Sequence, residues 1–168
     1  MRRRSFALAV AAAPLAACSA AEVKTFATLA AASAAIEGLA VRHRHTGEWT
    51  LAQMLEHVSQ SIDYSLDGFP SMKPALFRAA VGSVAFAVFQ ARGAMGHNLA
   101  EPIPGAPALD AAAPLPAAIA RALTALRRFE AHTGALAPHF AYGALDKAQY
   151  TRAHLMHLAN HWAEVARA

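Results

Sequence analysis

"TLAQMLEHVSQSIDYSL", residues 50–66, decides how the rest of the chain is read. Thr50 and Gln53 fit a capping box, in which the hydroxyl accepts from one backbone amide and the Gln side chain reaches back to another. Leu51, Met54, Leu55, Val58, Ile62 and Leu66 then recur at helical spacing and form one apolar stripe. The stretch is an amphipathic helix that needs partners along one face. His57 lies on its flank, about 120° from the centre of the stripe, and so faces along the side toward a neighbouring helix, with Ser61 and Tyr64 near it.

Helical periodicity continues on both sides. Residues 26–40 read as an alanine-rich helix, followed by a loop at "RHRHTG", residues 42–47. "DGFPSMKP", residues 67–74, breaks the second helix. A third helical run covers residues 74–92. Its segment "AAVGSVAFAVF", residues 79–89, is apolar nearly all round, which predicts burial, and is too short to span a bilayer. Residues 92–116 are rich in proline and read as an ordered excursion or lid, because long loops in compact domains usually have a task. A fourth helix covers residues 117–132, with Ile119, Ala122, Leu123, Leu126 and Phe129 on one side. After a turn-rich link, Asp146 and Gln149 form a second capping box, and the last helix runs to about residue 166. No alternating strand pattern of useful length is present. The expected architecture is an all-α bundle over residues 25–167, with an inserted helix and Pro-rich loop between the second and third bundle helices.

The chain has 168 residues, 56% hydrophobic and 15% charged, enough for one domain with a sizeable core. Its net charge of +4 owes three units to Arg2, Arg3 and Arg4. Without the first 18 residues, 15 − 3 = 12 basic residues face 11 acidic ones, a net of +1. No basic run or basic-aromatic alternation remains, so nucleic acid is not an expected partner.

"MRRR" followed by "FALAVAAAPLAA", residues 6–17, has the layout of a signal peptide over residues 1–18. "RRSFA", residues 3–7, fits a twin-arginine signal, and an ordinary Sec-type leader fits as well. Cys18 closes "LAAC", which resembles a lipobox; a lipid there would attach the protein to a membrane, whereas cleavage a few residues later would remove it. Either route predicts a periplasmic or envelope-anchored protein. Cys18 is the only cysteine, so a disulfide within the chain and a cysteine-ligated metal in the mature protein are both excluded.

"HLMHLANH", residues 154–161, carries the chemistry. His154, His157 and His161 fall within an arc of about 60°, with Tyr150 inside it, at the edge of the apolar face. An i,i+4 pair such as His157 and His161 can share one cation. The same spacing also suits histidines that only bond or face water. His57 is the obvious candidate for a third ligand from another helix, with a plain surface histidine as the other reading.

"WTLAQMLEHVSQS", residues 49–61, resembles the tryptophan-to-histidine segment of DinB-like proteins. "HFAYGALDKAQYTRAHLMHLANH", residues 139–161, resembles the ending of that superfamily, a histidine with aromatic residues, a Gly turn and a helix bearing H-x-x-x-H. "GFP", "RGAMGH" and "EPIPGAP" are similar to stretches of an exported branch. The likeness spans roughly residues 25–166. It implies a four-helix bundle holding a divalent metal through His57, His157 and His161. It leaves His154 one turn early, near the metal's mouth. Asn160 and Trp162–Glu164 depart from the residues that follow the motif in many relatives, which puts a shared substrate contact in doubt.

Zinc is the default ion for three imidazoles, with nickel, iron or manganese also accommodated. The metal could activate water for hydrolysis of a small molecule, or bind a thiolate for transfer. Export favours hydrolysis or ligand binding. The remaining reading is a non-catalytic metal- or ligand-binding bundle of the cell envelope. His154 is the first candidate for a general base, with Glu56 and Asp63 as others. His97 and Glu101, before the Pro-rich loop, are candidates to reach over the site, and Tyr150 is a further candidate to line it or back its ligands. His139 is expected to bond the Gly143 turn. His43 and His45 have no predicted partner, and Trp49 and Trp162 are expected to pack.

Overall fold

A computed structural model describes residues 25–39 and 43–167. The expected leader at residues 1–18, Cys18 included, lies outside the described residues. The fold is an all-α bundle. Its helices are α1 (Leu29–Glu37), α2 (Leu51–Asp67), α3 (Ala75–Arg92), α4 (Leu115–Ala131) and α5 (Lys147–Trp162). Helices α1 and α2 each pack against both α4 and α5, which makes these four the bundle; α3 and the Pro-rich loop are the insertion.

Local chemistry sets the helix ends. Thr50 accepts from the Gln53 amide at 3.1 Å, and the Gln53 side chain accepts from the Thr50 amide at 2.9 Å. Asp146 and Gln149 repeat this box at 2.7 and 2.9 Å. Gly68, at φ 100°, ends α2 in a conformation that glycine tolerates best. The Lys147 ammonium donates to the carbonyls of Phe129 and His132 and so closes the open end of α4.

The core is built from the predicted stripes. Ile36, Met54, Leu55, Val58, Ile62, Ala122, Leu126, Phe129 and Leu158 are all buried. Burial on α2 extends beyond its stripe to Ser59, Gln60, Ser61 and Ser65. The Pro-rich loop crosses this polar side, and two α2 glutamines fasten it. Gln53 donates to the Leu109 carbonyl and Gln60 to the Pro107 carbonyl, each at 3.2 Å. Ile103 is the buried apolar foot of the loop.

Three expectations need correction. First, α5 stops at Trp162. Val165–Arg167 pairs as an antiparallel strand, β2, with β1 (His43–His45), and the Thr46 amide and hydroxyl both donate to the Glu164 carbonyl. Strands of three residues are too short to show an alternating pattern, and their partners lie far apart in the chain. Second, both His43 and His45 have partners. His43 stands opposite Arg167 in the β1–β2 pair. The His45 Nδ1–H donates to the Trp49 carbonyl at 3.0 Å, and the His45 Nε2 stands 3.3 Å from Glu164 Oε2. Third, α3 is largely exposed. Leu76, Val81, Val84 and Val88 face outward, and only Gly82 and Phe86 are buried. Over its 18 residues, mean hydropathy is 1.2, so by length and composition alone it could cross a membrane. Apolar composition on every side showed no preferred face, and the bundle had room for only one edge of this helix.

That edge fits tightly. Arg78–Gly82 forms a π turn within α3. A side chain on Gly82 would place its first carbon 1.7 Å from the Ala141 carbonyl oxygen. The 139–143 turn therefore lies directly against α3. Phe86 stacks on Tyr142 and packs with Ala153 and Met156 of α5.

Candidate metal centre

Helix α2 presents His57 and helix α5 presents His157 and His161 to the same point inside the bundle. His57 Nε2 lies 3.1 Å from His157 Nε2, which lies 3.2 Å from His161 Nε2. One nitrogen from each of the three falls within 4.8 Å of the others. All three rings are buried, His161 completely. Helical rotation at i,i+4 aligns the α5 pair; packing of α2 against α5 brings in the third ring.

Burial holds these imidazoles neutral. Loss of solvation, reinforced by His97, pushes His57 down to about 4. The same cause, with the neighbouring histidines, pushes His161 to about 2 and His157 well below its ordinary value. Neutral imidazole carries one proton. In mixed tautomers the Nε2 atoms bond one another, His57 to His157 and His161 to His157. With all three protons on Nδ1, three lone pairs converge on one point, and the donor set then fits a divalent metal. The Nδ1 atoms of His57 and His161 are buried with no hydrogen-bond partner.

The rings are oriented by stacking. Trp49 lies parallel to His161 at 5.9 Å and tilted against His57 at 4.9 Å. Its expected packing role is thus packing onto two of the candidate ligands, a link that Trp49's position just before the Thr50 cap could have suggested. Trp162 packs edge-on against Phe26 instead.

Beside the cluster is a cavity of about 290 Å³. His57 and His157 stand on its wall, with His139, His154, Phe77, Tyr142 and Ile103 among the other lining groups. Lys73, His97 and Glu101 also line it. The wall is mostly apolar with a few convergent polar groups, the character of a small-molecule site. Sequence reasoning missed Lys73, Phe77 and Tyr142, because their elements meet only in the fold.

His154 is buried beside the cavity, with Nε2 3.2 Å from Ser65 Oγ, its ring stacked on Tyr150 and the edge of Phe129. Desolvation pushes it down to about 3. Tyr150 is fully buried and donates from its hydroxyl to the Ala137 carbonyl at 2.7 Å, so it braces the link before α5 and is not part of the cavity wall. His139 does bond its turn: Nδ1 accepts from the Ala141 and Tyr142 amides at 3.1 and 3.2 Å, and burial pushes it down to about 3. Glu56 and Asp63 pair with Arg121, and Asp63 also with Arg128, outside the cavity. Glu101 is the one carboxylate of these three on its wall.

Fold and site together define an all-α bundle with a buried three-histidine cluster beside a largely apolar cavity. The chain belongs to the family described as Protein of unknown function (DUF1569), whose model matches residues 20–168. No curated protein and no solved structure matches it.

Proposed function

We propose that the chain is an exported, metal-dependent protein of the DinB-like type, acting on a small molecule by hydrolysis or group transfer. The observation that carries this reading is the convergence of His57, His157 and His161 on one point, with His57 and His157 on the wall of the cavity. The likeness of residues 49–61 and 139–161, which contain these histidines, to DinB-like segments supports it. Zinc suits three neutral imidazoles best, with nickel, iron or manganese as other occupants. Such an ion, when bound, supplies Lewis-acid activation of water or substrate.

The chain's own residues have separate tasks in this reading. His57, His157 and His161 hold the ion. Phe77, Tyr142 and Ile103 exclude water and receive the apolar part of the substrate. Burial lifts the Tyr142 phenol to about 12, so it stays a neutral hydroxyl. His154, held near 3, is a poor proton acceptor but a sound neutral hydrogen-bonding group. Glu101 is better placed to accept a proton, at the cavity wall. A leader at residues 1–18 would direct the protein to the periplasm, with or without a lipid on Cys18.

A second reading is a non-catalytic metal- or ligand-binding bundle of the envelope. The ring of His97, close to the cluster, favours it if it closes the ion off permanently. The test is metal analysis of the purified mature chain, alone and after incubation with zinc. About one ion per chain is expected in the wild type and none in His57→Ala or His161→Ala. A wild-type protein that neither carries nor gains metal refutes the proposal.

A further inference from the structure

We infer that His97 is a fourth, displaceable metal ligand, leaving the ion when a small anion or anionic substrate group enters the cavity. The inference rests on the three-histidine reading and extends it. Its ground is the position and tautomer of a side chain that belongs to neither bundle helix of the cluster.

His97 lies in the segment between α3 and the Pro-rich loop. Its ring centroid is 5.1 Å from that of His157 and 5.3 Å from that of His161. Within the triad the same separations are 5.0, 4.9 and 4.9 Å. Four imidazoles arranged tetrahedrally around one zinc, at metal–nitrogen distances of about 2.0–2.1 Å, place neighbouring centroids about 5 Å apart. By ring position His97 therefore stands at that spacing from two of the three, while among the described residues the set of ring nitrogens within 4.8 Å of one another holds only the triad, so the His97 ring has to turn toward the ion to bind it.

Its tautomer suits the task. His97 Nδ1 is 2.9 Å from the Asn98 carbonyl oxygen. A carbonyl only accepts, so Nδ1 carries a proton and Nε2 is the nitrogen through which the ring would bind a metal. Metal-bound histidines are commonly oriented in this way by a backbone carbonyl on the other ring nitrogen. Asn98 is itself turned in place, its side chain accepting from the Ala100 amide at 3.1 Å.

Displacement follows from what holds each ligand. His57, His157 and His161 are buried on bundle helices, whereas His97 is an exposed residue outside any helix. When an incoming group competes for a position on the ion, the ligand with the least packing leaves first. His97 also lines the cavity, so the group that displaces it arrives where the substrate would lie.

The experiment uses cobalt(II) as the metal and azide as the entering anion, on the purified mature chain and on His97→Ala. Wild type is expected to give the intense visible absorption of tetrahedral cobalt, changing as azide is added. His97→Ala is expected to bind cobalt at least about tenfold more weakly. It should give a spectrum of altered coordination, and its cobalt should take azide at least about tenfold more tightly, because no side chain has to leave. Added imidazole should restore the wild-type spectrum. Equal cobalt affinity, spectrum and azide affinity in the two proteins overturn the role of His97 and leave the triad standing. A wild-type spectrum that azide never changes overturns displacement. A wild type that binds no cobalt overturns both this inference and the reading beneath it.

Discussion

His57 and His157 are separated by 100 positions in the chain, and their Nε2 atoms are 3.1 Å apart. Without an ion, two neutral imidazoles at this distance share one N–H···N hydrogen bond; a cation at the common point would instead take a lone pair from each. Adding zinc to chelator-treated protein should therefore raise the melting temperature. At a hundredfold excess over Kd the gain is about 2.7 kcal/mol, or roughly 5–10 °C for a chain of this size. Differential scanning fluorimetry with zinc, then with excess chelator, reads it directly. No shift in the wild type, or an equal shift in His57→Ala, would count against the site.

Acid should destabilise the metal-free protein through its buried histidines, the triad included, and His139 and His154 give the contribution from outside the cluster. Both are pushed down to about 3 in the fold and return to about 6.5 when unfolded. Between those values the unfolded chain binds more protons, so stability is complete above about pH 7 and falls as pH drops below about 6.5. Each group contributes at most about 1.4 kcal/mol per pH unit. Urea unfolding at a series of pH values checks this, and His154→Gln should make the slope shallower. A flat profile down to about pH 5 would contradict it.

Gly82→Ala should loosen α3 from the bundle. The added carbon would meet the Ala141 carbonyl at 1.7 Å, between two backbones with no flexible side chain to yield. Overpacking of this kind costs about 1–3 kcal/mol. Gly96→Ala is the control, since nothing lies within 4 Å of its new carbon. Denaturant midpoints of the two variants should separate clearly; equal midpoints would show that α3 is not seated as described.

Trp49 should report on the site. Its ring touches His57 and His161, while Trp162 lies against Phe26. Copper(II) or cobalt(II) at the cluster should quench the tryptophan emission, and Trp49→Phe should abolish most of that quenching while keeping the metal. Equal quenching in Trp49→Phe would place the ion elsewhere.

Much of this was legible in the residues. Both capping boxes were readable because they depend on residues three apart. Helical rotation put the α5 histidines on one face and the flank position made His57 a candidate partner, while the set of three came from the DinB-like resemblance. The histidines proved more deeply buried than their places at the stripe edges implied, because the Pro-rich loop covers the polar side of α2 through Gln53 and Gln60. The loop's path depends on long-range contacts that no local pattern records. For the same reason the Trp49 platform, the Ser65 partner of His154 and the β1–β2 pair escaped notice. The outward apolar face of α3 was misread because periodicity cannot assign a side to a helix with none.

The β1–β2 clasp has one more consequence. β1 leads into α2, which carries His57, and β2 follows α5, which carries His157 and His161. Backbone pairing thus ties together the ends of the two helices that bear the cluster. The entropy of bringing these distant segments together is met by the fold itself. A cation entering such a preorganised cage has little ordering left to do, and the cage yields little to it. In the metal-bound reading proposed above, discrimination among ions would rest on radius and preferred angle, with the clasp fixing the backbone against which each ion is gauged.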